Sequence, residues 1–76
     1  MPKISENDSP IGIIIKERLA EMERTQPWLA RKSGCAVNTV NRIVKGKMKP
    51  SSDLLTRIAF ALEIDCEQLY SALNER

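Results

Sequence analysis

Apolar positions in this 76-residue chain recur at helical spacing, and no segment alternates as a strand would. Ser9 offers a helix cap, and Pro10 suits the first helical position, where its missing N–H costs no bond. Ile11, Ile14, Ile15, Leu19 and Met22 follow as one stripe with Ile13 off it, predicting a first helix over about 10–23. Thr25 begins a short second helix that tolerates Pro27 in its first turn, carries Trp28, Leu29 and Ala30, and stops at Gly34. A third helix is expected from about 36 to 45, with Val40, Ile43 and Val44 inward and Gly46 ending it. The segment KMKPSS reads as a loop. Ser51 or Ser52 caps a fourth helix whose stripe is Leu54, Leu55, Ile58, Ala59 and Leu62, with Asp53 complementing its dipole. Asp65 and Gln68 suggest a capping box for a fifth, with Leu69, Tyr70 and Leu73 on its apolar side. The expected fold class is all-α: one compact five-helix domain over residues 9–76, preceded by a flexible polar arm at 1–8.

Composition narrows the function classes. A domain of this size buries only about 60% of its unfolded surface, so a deep catalytic cleft is hard to build. With one Trp, one Tyr and one Phe, the core must be mostly aliphatic. Cys35 and Cys66 form no CxxC pair, and there is no histidine, so no zinc site is expected. No Gly-rich phosphate loop is present either; an enzyme, a cofactor and an effector-binding domain are not expected. The start MPKISENDSP has no apolar signal core, and no run approaches the ~20 apolar residues of a membrane span. The expectation is a cytoplasmic protein with reduced thiols and no membrane partner.

Charge changes the picture more. From Arg24 to Ser52 there are seven basic residues and no acidic one: Arg24, Arg31, Lys32, Arg42, Lys45, Lys47 and Lys49. The remainder holds five basic and ten acidic residues, so the total of +2 conceals a polarised molecule. A one-signed positive surface suits a polyanion.

That stretch coincides with the second helix, the Gly34 turn and the third helix. Two short helices around a Gly-containing turn form a helix-turn-helix unit, whose second helix can lie in the DNA major groove. If Val40, Ile43 and Val44 face the core, then Val37, Asn38, Asn41, Arg42 and Lys45 lie on the other side. Asn can pair bidentately with adenine and Arg with guanine, while Val37 can touch a thymine methyl. Thr39 can reach a phosphate through its hydroxyl. Gln26, at the start of the second helix, can meet one together with free backbone N–H groups. Lys45, Lys47 and Lys49 suit backbone phosphates.

Across about residues 10–73 the chain resembles the XRE, or Cro/phage-repressor (lambda-repressor-like), helix-turn-helix family. The residues that carry the likeness are Gln26, Leu29, Ala30, Gly34, Val40, Ile43, Gly46, Lys47, Pro50, Ser51, Leu54, Leu55, Ile58, Ala59 and Leu62, continuing to Leu69. The resemblance implies a five-helix domain that binds double-stranded DNA as a homodimer and controls transcription. It also implies phosphate contact at Gln26 and base reading from Ala36, Val37, Asn38, Asn41 and Arg42. The chain departs from the family pattern at Glu23 and Arg24, where a glycine and an apolar residue are usual. Trp28 stands where a glutamate is common, and Cys35-Ala36-Val37 lacks the Ser/Thr cap.

The expected function is therefore a sequence-specific regulator, with repression by promoter occupancy as the expected direction. A single small module makes few DNA contacts, which also argues for a dimer. Leu69, Tyr70 and Leu73 are candidates for self-association, or they close the core. The competing reading is a protein-interaction module, antitoxin-like or accessory, that kept the fold without strong DNA binding; the basic stretch argues against it.

Overall fold

A computed structural model describes residues 9–74, with side chains over 9–72. The expected arm at 1–8 lies outside the described residues. Five helices follow in order: α1 (Pro10–Met22), α2 (Gln26–Ser33), α3 (Val37–Val44), α4 (Ser52–Leu62) and α5 (Cys66–Asn74). No strand occurs among the described residues.

Serine and threonine start three of these helices by the same device. The side chains of Ser9, Thr25 and Ser51 accept the N–H of Gly12, Trp28 and Leu54, at 3.1, 3.3 and 3.2 Å. Each occupies one of the donors that a helix start leaves over. At α5 the bond is instead a backbone one, from the Gln68 N–H to the Asp65 carbonyl at 3.0 Å, so the expected side-chain capping box is replaced by a turn.

Four helix ends share one geometry. At α2 the Cys35 N–H reaches back to the Ala30 carbonyl at 2.9 Å across Gly34, whose φ is 74°. At α3 the Lys47 N–H bonds the Arg42 carbonyl at 2.8 Å across Gly46, also at 74°. These are Schellman ends, which satisfy late carbonyls through a left-handed residue. The ends of α1 and α4 do the same with Glu23 (φ 56°) and Glu63 (φ 57°) in the left-handed position. The turn from α1 into α2 therefore forms although glutamate replaces the usual glycine.

The core is aliphatic, as the composition requires. Ile15, Leu29, Val40, Ile43, Leu55, Ile58, Leu62 and Leu69 are fully buried. Leu69 therefore belongs to the core and is removed from the self-association surface; Tyr70, at 37% exposure, remains on the outside. Leu73 lies outside the described side chains.

Two long-range ties set the position of α3. The Ser9 N–H donates to the Val44 carbonyl at 2.9 Å, and the Ser9 hydroxyl lies 3.1 Å from both the Ile43 and Val44 carbonyl oxygens. At Gly12 the backbones of α1 and α3 approach so closely that an added Cβ would overlap the Val44 carbonyl oxygen and sit 2.9 Å from its Cα. A further tie runs from the Arg18 guanidinium, which donates to the Leu62 carbonyl at 2.7 Å and joins α1 to the end of α4.

Ser9→Ala removes both the α1 cap and the hydroxyl tie to α3. A cap alone is worth about 1 kcal/mol, so a loss of about 1–2 kcal/mol is expected, read as a lower urea midpoint with an unchanged slope. An unchanged midpoint would show that the tie contributes nothing net.

Candidate nucleic-acid interface

The geometry of α2 and α3 follows from which of their residues the core takes. Leu29 and Ala30 bury one side of α2, and Val40, Ile43 and Val44 bury one side of α3. What remains outside on α3 is Val37, Asn38, Asn41 and Arg42, followed by Lys45. Val37 is 46% exposed on that side. Asn38 and Arg42 are exposed and Asn41 is half-buried. No carboxylate pairs with Arg42 among the described residues, so its guanidinium is available.

The start of α3 is electrostatically open. Its N-cap is Ala36, which is exposed and supplies no side-chain acceptor. Thr39 and Val40 both bond the Ala36 carbonyl, which leaves the N–H groups of Val37 and Asn38 without a protein acceptor among the described residues. The positive end of the helix dipole and two free donors therefore sit beside Asn38. Thr39 is half-buried on the same turn.

At the start of α2 the supply of donors is smaller than the sequence suggests. Thr25 takes the Trp28 N–H and Pro27 has none, so the Gln26 N–H is the one left over. Gln26 itself is half-buried. Beyond α3, Lys45, Lys47 and Lys49 are all exposed, while Pro50 between them and α4 is buried and anchors the loop.

Two features were not visible from local pattern. The Arg24 guanidinium lies over the Trp28 ring, 5.0 Å from its centroid, so two of the departures from the family pattern form one cation–π pair. Cys35 follows the Gly34 turn and packs against the core; burial pushes its thiol above the ordinary range, which favours the neutral, unreactive form. No three-residue group able to hold a metal ion occurs among the described residues. No helix there is long and apolar enough to cross a membrane.

A family model described as the Cro/C1-type HTH DNA-binding domain matches residues 15–74. The chain belongs to this family. Within the Cro/C1-type frame it is a DNA-binding transcriptional regulator, and proteins of this kind are not enzymes in general. No curated protein matches it in sequence. Among solved structures it is similar to the restriction-modification controller protein C.AhdI from Aeromonas hydrophila, at 25% identity and a TM-score of 0.74, over 79% of this chain and 91% of that one. It also shares its fold with the controller protein C.Esp1396I, at 23% identity and a TM-score of 0.70, over 96% and 99% of the two chains.

Proposed function

We propose that this Cro/C1-type regulator reads double-stranded DNA by placing α3 in the major groove, and that it represses transcription by occupying a promoter. The observation that carries this is the division of α3 itself. Its Val40, Ile43 and Val44 side is fully buried, while Val37, Asn38, Asn41 and Arg42 lie on the side left to solvent. A groove about 12 Å wide admits one such helix.

In this reading Ala36, Val37, Asn38, Asn41 and Arg42 meet base edges. Gln26, Thr39, Lys45, Lys47 and Lys49 hold phosphates and fix the register. A homodimer places two copies of α3 about 34–36 Å apart on a two-fold operator. Tyr70 and Leu73 are its candidate contacts now that Leu69 is assigned to the core. The similarity to C.AhdI, a controller of a restriction-modification system, supports a role in transcriptional control.

Selection of bound fragments from random DNA, followed by gel-shift titration, tests the proposal. A palindromic consensus with fixed half-site spacing is the expected result; recovery of unrelated fragments bound equally well would refute sequence reading. On the selected site, Arg42→Ala should weaken binding by about 1–3 kcal/mol and relax preference at one base pair. Lys47→Ala should weaken all sequences alike. If Arg42→Ala bound the site as tightly as the parent, Arg42 would have no base-reading role.

A further inference from the structure

Among the described residues Phe60 is the most exposed large apolar side chain, at 83%. It projects from α4 between the buried Ala59 and Ala61. Beside it runs a half-open groove of about 580 Å³, floored by Met22 and Trp28 and rimmed by Arg24 and Lys32, with Glu63 as its single acid. This groove uses the α2 residues left over by the DNA reading: none of them is among the base or phosphate contacts proposed above.

We propose that this groove is a docking site for a partner protein, and that its occupant is an acidic segment carrying an apolar anchor. Two cations against one carboxylate give the rim a net positive charge, which suits a segment rich in Asp and Glu. The apolar floor, with Phe60 standing open next to it, suits an inserted Leu or Phe side chain. Contiguous apolar surface with a polar rim is the pattern of a protein-binding site.

The same residues argue against other occupants. A second copy docked face to face on the groove would set two rims of the same net positive charge against each other, which is less favourable than an acidic segment. A single-stranded nucleic acid would stack its bases on Trp28, and the Arg24 guanidinium already occupies one face of that ring, 5.0 Å from its centroid. Duplex phosphate gains nothing from Phe60.

Trp28 is the chain's single tryptophan, so its emission reports directly on the groove. The probes are a synthetic amphipathic peptide combining Leu and Phe with Asp and Glu, its counterpart with Lys and Arg, and an acidic peptide without apolar residues. The expected result is a saturable shift of Trp28 emission with the first peptide alone. Phe60→Ser and the double variant Arg24→Gln, Lys32→Gln should each weaken it by about tenfold or more, as for an interface anchor. Phe60→Ser should leave the DNA gel shift unchanged, so the groove and the DNA reading fail or stand separately. The proposal is overturned if no shift occurs, if either control peptide binds equally, or if Phe60→Ser binds as the parent does. It is also overturned if sedimentation shows a Phe60-dependent dimer, which would make a second copy the occupant. Displacement of the acidic peptide by oligothymidylate would assign the groove to single-stranded nucleic acid and overturn it likewise.

Discussion

Gly12→Ala is expected to destabilise the domain by about 3 kcal/mol or more and to weaken DNA binding with it. The usual sign for a glycine inside a helix is the reverse, since Ala improves helix propensity by about 1 kcal/mol. Here the new methyl group would overlap the Val44 carbonyl oxygen, and backbone cannot rotate aside as a side chain can. Overpacking costs about 1–3 kcal/mol where side chains can shift; against backbone the upper end is the relevant one. A domain of this size has only about 4–11 kcal/mol in total, so the change removes a large share. Relief requires α1 to move away from α3, and the Ser9 bonds to Ile43 and Val44 are then lost as well. Urea unfolding measures the first effect, and gel-shift titration at a temperature where the variant is folded measures the second. A variant that melts with the parent's midpoint would show that the helices do not cross this closely.

The second large effect is that of salt. If Lys45, Lys47 and Lys49 each neutralise one phosphate, a dimer releases counterions at six phosphates. The slope of log K against log salt is then about −5, and affinity falls by about a thousandfold between 50 and 200 mM salt. One copy on the DNA would halve that slope, so the same titration also tests the dimer. A shallow slope below about 2 in magnitude would be incompatible with lysine-held phosphates in either state.

Most helix boundaries were legible because their causes are local. Ser9, Thr25 and Ser51 cap by reaching residues three positions away, and Gly34 and Gly46 end helices by their own backbone freedom. The inward face of α3 was legible for the same reason: spacing along one helix selects Val40, Ile43 and Val44. What was not legible depends on pairs distant in sequence. Gly12 drew no reading from the local pattern; its cause is Val44, 32 positions on. Leu69 and Tyr70 are neighbours on one apolar side, and only the packing of α5 separates the core residue from the exposed one. Arg24, just before α2, and Trp28 in its first turn are four positions apart, but sequence offered each only as a departure from a pattern. Phe60 carried no signal at all, because a single apolar residue beside a helical stripe is ordinary. The Asp65 capping box failed for a different reason: the motif is short, and a backbone turn satisfied the same donor.

The left-handed glutamates at the ends of α1 and α4 make suppressor genetics informative here. A residue with a Cβ pays about 1–2 kcal/mol in that conformation and glycine does not. One nucleotide change turns a glutamate codon into a glycine codon, so two compensating mutations are each a single step away. Selection for restored function in a core-weakened background should therefore return Glu23→Gly and Glu63→Gly, neither of which alters a residue of α3. The second would also delete the one carboxylate lining the Phe60 groove, so the two suppressors would differ in their effect on whatever docks there.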